Sequence, residues 1–284
     1  MQALVQKSTK RTSKVPAWMG GRLTLSTQMS KLLREELYTA SLDEKEQSIE
    51  IRALKPLFDK QFRESIVPTT KEFLIETFET TEGFHHVFYP FEGRFVHEAL
   101  GSLIGYRISL LQPISFSLAF NDYGFELLSD NPIDMQQVLD NELFTTDFLM
   151  EDLQKSINAT EMARRKFRDI AVISGMVFTG YPKKGIKMKH LQSNSQLLFN
   201  VFRDYERENL LFQQSFRETF EHQLEEGRLR IAMERISNMT PKWQACSQPT
   251  PLSFPIITDR LSRERLSSEK LEDRIRKMAV KLAR

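Results

Sequence analysis

The runs Phe73-Leu-Ile-Glu-Thr-Phe78 and Phe84-His-His-Val-Phe-Tyr89 decide the fold class of this chain. Both runs are rich in aromatic and β-branched residues, which favour extended strands over helices. The connection around residues 80–83 ends in Gly83, a residue type that accepts the backbone angles of tight turns. The two runs therefore predict a β-hairpin.

A second hairpin is predicted further along the chain. Apolar residues alternate with small ones from Ile114 to Phe120, the segment Asn121–Gly124 has the composition of a turn, and an apolar run continues to Leu128. Between the hairpins, Phe95 to Leu111 has the apolar spacing of a helix. The order hairpin, helix, hairpin predicts an antiparallel sheet crossed by a helix.

Helices are predicted on both sides of this unit. Before it, Ser26 has the residue type of an N-cap for a helix to Leu37, and a helix over 43–62 contains Pro56, which is expected to kink or split it. After Pro132 the pattern is almost wholly helical, with segments near 135–141, 146–156, 158–174, 192–203, 209–236 and 267–283. The predicted fold class is therefore α+β, with helices dominating.

One of these helices has signals at both ends. Asn158 followed by Glu161 has the form of a capping box, with Asn in place of Ser or Thr. Gly175 suits the position just after a helix end, where left-handed backbone is common. The helix over 158–174 is therefore the best bounded in the sequence.

The composition excludes several protein classes. Of the 284 residues, 40% are hydrophobic, enough for a buried core, and no apolar run is long enough to span a bilayer. The single cysteine, Cys246, excludes an internal disulfide or a cysteine-based zinc cage and fits a reducing cytoplasm. No Gly-Lys dipeptide occurs, so the chain has no P-loop for nucleotide hydrolysis. We expect a soluble cytoplasmic protein without a motor of its own.

The charges are unevenly placed along the chain. The net charge of +2 implies no polyanionic partner by itself. Before the first acid, Glu35, the chain carries seven bases, whereas the segment 122–161 holds many acids and one base, Lys155. The basic start also has the composition of an organelle transit peptide, which is an open alternative. The basic stretches are candidate contact surfaces.

Ten residues are candidates for contact with nucleic acid, because phosphates favour Arg and Lys and unpaired bases favour aromatic faces. They are Trp18, Arg22, Arg94, Arg164, Arg165, Arg168, Lys183, Lys184, Lys187 and Lys189. Trp18 lies beside two glycines and Arg22, and the alternative interpretation is that it caps the core while the glycines form a turn. Arg94 could contact phosphate or tie its loop to a carboxylate such as Glu92 or Glu98.

A basic stripe accounts for the other candidates. Residues Arg164, Arg165 and Arg168 share one flank of a predicted helix whose other side carries Phe167, Ile170 and Ala171. The four lysines follow in a glycine-containing loop, which extends the positive surface. A merely solvated helix face would have the same pattern, so both interpretations stand.

A metal site or an independent catalytic centre has little support in the sequence. The pair His97-Glu98 lacks a second His at the spacing of zinc proteases, and the adjacent His85 and His86 point to opposite faces of a strand. Neither Ser195 nor Cys246 lies in a nucleophile motif. We assign no catalytic residue and no metal ligand.

Four separated blocks carry a family resemblance. They are Val15-Pro-Ala-Trp-Met-Gly-Gly-Arg22, Tyr89-Pro-Phe-Glu-Gly-Arg94 with His97-Glu-Ala-Leu100, Arg164-Arg-Lys-Phe-Arg-Asp-Ile-Ala171, and Pro249-Thr-Pro-Leu-Ser-Phe-Pro255 with Ser267-Ser-Glu-Lys-Leu-Glu-Asp-Arg274. In this order and spacing they resemble the DEAD/H-associated region of Lhr-type (large helicase-related) DNA helicases. The variant that the chain looks closest to is the bacterial ligase-associated DNA damage response helicase.

The resemblance implies that the chain is the non-motor C-terminal part of such a helicase. Two RecA-like motor domains, which use ATP and Mg, and a winged helix would lie upstream of Met1. Residues 1–14 would be a strand and basic linker left from an upstream domain. Residues 15–284 would form the DEAD/H-associated domain, with a sheet-containing half over about 15–131 and a helical half over about 132–284. The chain would be a truncated product, an internal start or one part of a split helicase.

Three functions follow as expectations. The first is a module that binds and guides single-stranded DNA or an RNA-DNA hybrid for a 3′-to-5′ ATP-dependent helicase in DNA repair, with DNA ligase-associated repair proteins as further partners. The second is a protein-interaction or scaffolding subunit that docks on a separately encoded helicase motor. The third is an independent enzyme, such as a nuclease or glycosylase.

Overall fold

The computed structural model describes residues 23–42, 45, 47–140, 143–178, 180–181, 184–185, 188–222, 225–263, 276 and 279–280. The predicted N-terminal strand and linker lie outside these residues, as do the candidates Trp18, Arg22, Lys183 and Lys187. Most of the helix predicted over 267–283 lies outside them as well. In the described part of the chain, every helix is too short or too polar to cross a membrane.

A five-stranded sheet forms the centre of the fold, with strand order β3-β4-β2-β1-β7. Its strands are β1 Glu72–Thr80, β2 Gly83–Phe88, β3 Ser117–Phe120, β4 Phe125–Ser129 and β7 Thr240–Ala245, and a separate small hairpin consists of β5 Gly180–Tyr181 and β6 Lys184–Gly185. Strand β1 pairs antiparallel with β2, and β3 with β4, so both predicted hairpins are confirmed. The antiparallel pair of β2 and β4 joins the hairpins into one sheet.

Two glycines permit the close approach of these hairpins. Gly83 has φ of +132°, and a Cβ at this position would lie 2.5 Å from the carbonyl oxygen of Ser129. A Cβ at Gly124 would lie 2.3 Å from the carbonyl oxygen of Phe88. Neither position can accept a side chain unless the neighbouring strand moves, so the residue type at both turns is fixed by packing.

Strand β7 was not predicted from the sequence. It pairs parallel with β1, with Glu72 opposite Thr240 and Thr77 opposite Ala245. As an edge strand it has exposed or half-buried side chains throughout, so it shows no clear apolar alternation. Pro241, which has no N–H to donate, is tolerated at such an edge. The sheet is therefore mostly antiparallel, and its last strand comes from the segment where the pattern predicted helices.

Helix α4, Arg94–Leu111, covers one face of the sheet and confirms the predicted crossing helix. Its buried residues Leu100 and Leu103 belong to the same apolar cluster as Phe88 and Phe125 of the sheet. The two phenylalanine rings stack with centroids 4.8 Å apart. Since full burial of a side chain of this size contributes about 2 to 3 kcal/mol, this cluster is the principal core.

The opposite face of the sheet is covered by α1 Thr27–Thr39, α2 Ile49–Ala53, α3 Lys55–Glu64 and α11 Phe254–Arg263. Ser26 caps α1 as predicted, because its side chain accepts a hydrogen bond from the Met29 N–H at 3.3 Å. The helix predicted over 43–62 is split, as Pro56 indicated, and the proline lies at the start of α3. The first of the two pieces begins later than predicted, after the cap Ser48.

The middle and late parts of the chain are mainly helical, as predicted. The helices are α5 Met135–Leu139, α6 Leu149–Lys155, α7 Ile157–Ile173, α8 Met188–Tyr205, α9 Leu210–His222 and α10 Glu226–Ser237. Helices α7, α8 and α9 pack around Phe167, Phe199 and Phe212, which form a second apolar centre beside the sheet. This bundle carries the predicted basic stripe.

Further helix boundaries differ from the prediction, two of them with a clear local cause. The single helix predicted over 209–236 is wrong, because α9 and α10 are separate and Glu225, just before α10, has a left-handed backbone with φ of 46°. Helix α7 starts at Ile157, so Asn158 lies in its first turn and not at its cap. Gly175 follows α7 with φ of +76°, which confirms the predicted C-terminal signal.

Candidate nucleic-acid interface

The Tyr89–Arg94 loop connects β2 to α4 through an unusual backbone path. Phe91 has φ of 53°, a left-handed conformation that is rare for an aromatic residue. Gly93 has φ of +93°, and a Cβ there would lie 2.7 Å from the Thr24 hydroxyl oxygen. A loop with two such residues persists only where surrounding contacts hold it.

Three arginines supply those contacts, and we call them the arginine clamp: Arg34 of α1 with Arg228 and Arg235 of α10. Arg34 Nη1 donates to Glu92 Oε1 at 2.7 Å and to the Phe91 carbonyl at 3.0 Å. Arg235 donates to Glu92 Oε1 and to the Pro90 carbonyl at 2.9 Å. Arg228 donates to the Glu92 carbonyl oxygen. The clamp therefore fixes the loop through its backbone as well as through the buried Glu92 carboxylate.

The clamp brings three guanidinium groups close together where they are partly shielded from solvent. Burial, and next the nearby positive charge of Arg34, lower the pKa of Arg235 to about 10, although Glu92 opposes both effects. Arg228 also pairs with Glu225 at 2.5 Å. Glu92 is therefore the central counter-charge for Arg34 and Arg235, and its carboxylate is only slightly exposed.

Arg94 and His97 tie the same loop to the turn between β3 and β4. The backbone N–H of Arg94 donates to Asp122 Oδ1 at 3.1 Å, and its guanidinium lies 3.6 Å from Asp122 Oδ2. His97 Nε2 accepts from the Glu92 N–H at 2.8 Å, so its Nδ1 is the protonated nitrogen and donates to the Asn121 carbonyl at 2.6 Å. Arg94 therefore ties its loop to a carboxylate, which was one of the two interpretations of the sequence. The carboxylate is that of Asp122 and not of Glu92 or Glu98.

A buried carboxylate joins two of the sequence blocks. Glu76 accepts hydrogen bonds from the Tyr89 hydroxyl at 2.5 Å, the Thr250 hydroxyl at 2.5 Å and Gln61 Nε2 at 2.8 Å. Burial, followed by the Glu76 charge, raises the pKa of Tyr89 well above its usual value. Since a buried charge needs such partners, the block around Tyr89 and the block around Thr250 are structurally linked.

Helix α7 has its apolar side toward the protein interior and the arginines of the predicted stripe toward the surface. Phe167, Ile170 and Ala171 are buried, as predicted. Arg164 is partly held, because it pairs with Glu161 at 2.6 Å and lies over the Phe199 ring at 5.5 Å. The most accessible cations of the stripe are therefore the other two arginines.

Arg165 is exposed and has no ion pair with a described residue. Arg168 is half-exposed, and its Nε lies 3.5 Å from the carboxylate of the next residue, Asp169. A weak, solvent-screened pair of this kind leaves a guanidinium able to exchange partners. Arg165 and Arg168 can therefore approach a phosphate chain without breaking a buried contact.

The lysine-rich segment comes after α7 in the chain. Lys184 lies on β6 and Lys189 in the first turn of α8, the helix that packs on α7. Phe178, just before β5, is 58% exposed and was not singled out from the sequence. An exposed aromatic ring offers a face for base stacking, and the lysines that follow Phe178 in the sequence are residue types that bind phosphate. The signal in the sequence is an aromatic residue that shortly precedes the lysine-rich stretch.

The histidines that were considered as metal ligands have other surroundings. His85 Nδ1 lies 2.5 Å from Glu126, which also accepts from Arg260 Nε at 2.9 Å. His86 is buried beside it, and both of its ring nitrogens are without a hydrogen-bond partner in the described residues. Within the same residues, no group of three or more His, Cys, Asp or Glu side chains is arranged to share a metal ion.

The geometry can be compared with known proteins. The model of the DEAD/H associated family matches residues 67–253, which includes the sheet, the Tyr89–Arg94 loop, α7 and the clamp residues of α10. The chain is 24% identical over 256 residues to the ATP-dependent helicase Lhr-Core of Methanocaldococcus jannaschii, covering 87% of this chain and 30% of that protein. It is 28% identical over 217 residues to the Sulfolobus acidocaldarius Lhr-Core helicase, covering 74% of this chain and 24% of that protein.

A solved structure has the same fold. The helicase Lhr of Mycobacterium smegmatis, bound to ssDNA and AMP-PNP, superposes with a TM-score of 0.61 at 18% identity, covering 85% of this chain and 32% of that one. This chain thus spans about a third or less of the proteins that it matches. Since the family model covers about two thirds of its residues, the chain belongs to the DEAD/H associated family and corresponds to the associated region of Lhr-type helicases.

Proposed function

We propose that the chain is a non-motor module of an Lhr-type ATP-dependent helicase and that it guides single-stranded nucleic acid along α7 and the β5–β6 hairpin. One observation carries the proposal: Arg165 and Arg168 stand on the outer flank of α7, and Lys184 and Lys189 follow on the next elements. Cations spaced along adjoining elements can track a phosphate backbone.

The rest of the helicase would supply the energy. ATP and Mg would bind in RecA-like motor domains, and a winged helix would stand between them and this module. The proposal extends to 3′-to-5′ movement on DNA, to RNA-DNA hybrids as substrates, and to a repair role like that of the ligase-associated subgroup. The arginine clamp would keep the Tyr89–Arg94 loop rigid while the module is pulled against a moving strand.

Fluorescence anisotropy with a labelled oligothymidylate tests the DNA-guiding role. We expect salt-dependent binding by the full chain, and we expect the double variant Arg165→Glu, Arg168→Glu to weaken it strongly. Because each lost phosphate contact changes the logarithmic salt dependence by about 0.7 for single strands, the slope should become less steep by about 1.4. The matched control is Arg230→Glu, an exposed arginine of α10 that pairs with Glu226.

The outcomes separate this function from its alternatives. Equal losses in the stripe variant and in Arg230→Glu would mean that only overall charge matters. No binding even at low salt would remove direct DNA contact and favour the scaffolding subunit, which should then co-purify with a separately encoded RecA-like polypeptide. Nuclease or glycosylase activity that is lost in His97→Ala with folding intact would favour the independent enzyme.

A further inference from the structure

Phe148 has an unfavourable backbone conformation, an unfavourable position at a helix start and an unfavourable exposure to solvent. It precedes α6 with a left-handed backbone, φ 54° and ψ 18°, which is rare for a bulky side chain. It occupies the N-cap of α6, where its side chain can offer no hydrogen-bond acceptor to the helix. Its ring is 71% exposed to solvent. Local conflicts of this kind concentrate where a residue is kept for function.

A single buried arginine holds Phe148 in this conformation. Arg107 of α4 donates from Nη1 to the carbonyls of Leu143 at 2.9 Å and Thr145 at 2.7 Å, and from Nη2 to the Asp147 carbonyl at 2.9 Å. Its Nε donates to Asp152 Oδ2 at 3.0 Å. Three of these hydrogen bonds fix the segment before α6 and the fourth fixes α6 itself, so the outward ring is a built feature of the fold.

The ring stands at the edge of a groove with other exposed apolar side chains. Leu110 and Leu111, at the end of α4, line the groove together with Phe148, and Leu110 is 64% exposed. Leu143 and the apolar stem of Arg107 form its floor. Three large apolar side chains that share one depression favour a protein partner over water.

The charge around the groove selects the partner. Between Arg107 and Lys155 the sequence has nine Asp and Glu residues and no Lys, Arg or His. Asp147 and Glu151 are exposed beside the ring. Helix α4 ends here without a basic residue in its last turn, so its negative pole is uncompensated. Such a rim repels phosphate and attracts cations.

We propose that this groove docks a polypeptide segment of a protein partner that presents Lys or Arg beside large apolar side chains. The Phe148 ring is the anchor, Leu110 and Leu111 extend the apolar contact, and Asp147 and Glu151 pair with the partner's cations. An apolar anchor with a charged rim is the common anatomy of a specific interface. The site is independent of the DNA-guiding surface on α7.

Two synthetic peptides test the proposal on the full chain. One carries Leu and Lys at helical spacing, and the other has Glu in place of each Lys. We expect the first to bind in fluorescence anisotropy and the second not to bind. Phe148→Gly should weaken binding about tenfold or more, the loss expected for an interface anchor. Glycine accepts the left-handed backbone at this position, so the variant should fold.

Ile173→Ser, which replaces an exposed apolar residue at the end of α7, is the matched control and should bind the Lys peptide unchanged. The proposal is overturned if Phe148→Gly binds as tightly as the parent chain, if the Glu peptide binds equally well, or if the Lys peptide does not bind at low salt. It is also overturned if Phe148→Gly weakens oligothymidylate binding, or if it abolishes self-association measured by sedimentation velocity, because DNA or a second copy would then be the occupant.

Discussion

At the scale of single residues, the burial of charge decides which substitutions matter. Glu92 is almost fully buried and balances two arginines from different helices, whereas pairs such as Lys31–Glu35 lie on the surface. Removing one partner of a buried pair leaves an uncompensated charge, which costs far more than the pair contributes. Sites such as Glu92 are therefore fixed by neighbours that are remote in sequence.

Glu92→Gln should lower the free energy of unfolding by about 2 to 3 kcal/mol, because Arg34 and Arg235 lose their counter-charge while both remain partly screened by solvent. The measurement is urea denaturation followed by circular dichroism. Glu35→Gln is the control, since its pair with Lys31 is exposed and should change stability by at most about 0.5 kcal/mol. Equal effects of the two substitutions would contradict the role of the clamp.

Two histidines should make stability fall in mild acid. Burial lowers the pKa of both His86 and His97 to about 4, and for His86 the neighbouring His85 adds to the effect. Both are near 6.5 in an unfolded chain, so between these values the unfolded state binds more protons than the folded state. The stabilisation is complete above about pH 6.5 and is lost as pH falls toward 4, by up to about 3 kcal/mol for each histidine.

Urea midpoints at pH 7 and pH 5 measure this loss. In His97→Gln the glutamine cannot gain a proton, so the difference between the two midpoints should shrink relative to the parent chain. The same shift in both proteins would mean that His97 does not contribute to the pH dependence. His97 is the sharper choice of the two, because protonation of Nε2 also breaks its hydrogen bond from the Glu92 N–H.

At the scale of elements, the sequence predicted what local pattern determines. Both hairpins, α4 and the break at Pro56 follow from residues that are neighbours in the chain, and all were found. The stripe on α7 also follows from helical spacing alone. Strand β7 could not be predicted in this way, because it forms only by pairing with β1. Across that pair, Trp243 Nε1 donates a hydrogen bond to the Thr77 hydroxyl, 166 positions away in the sequence.

The same reason limited what could be predicted of the candidate site. Glu92 belongs to a recognised block, but its partners Arg34, Arg228 and Arg235 lie 58, 136 and 143 positions away. No spacing rule connects such distant residues. The break between α9 and α10 was missed for a related reason, since apolar spacing continues through the left-handed residue Glu225.

The residue that precedes α6, Phe148, gives a further prediction. Phe148→Asn should raise the thermal midpoint by a few degrees, because Asn tolerates the left-handed backbone better than Phe does, an effect worth about 1 kcal/mol. Differential scanning calorimetry measures the change. The same variant should bind the Leu-Lys peptide more weakly, so the substitution would raise the stability of the fold and lower the affinity for the peptide. A lower midpoint would mean that the ring contributes more to the fold than its exposure indicates.

At the scale of the whole molecule, the late elements complete a core that the early elements begin. A chain ending after Asn238 would lack β7 and α11, leaving Glu76 without Thr250 and Glu126 without Arg260. We expect it to lose cooperative urea unfolding and to bind the dye ANS. A chain ending after Arg263 keeps both elements and should unfold cooperatively. A sharp transition in the shorter chain would show that the sheet is stable without its parallel edge.

The position of β7 has a consequence for synthesis in the cell. A ribosome synthesises β1 about 160 residues before β7, the strand that covers its outer edge, so the growing polypeptide carries an open β-edge until β7 is made. Pairing over such a separation is intrinsically slow, and the open edge is a template for wrong partners. Production of this polypeptide should therefore depend on chaperone capacity and on temperature more strongly than its final stability alone would indicate.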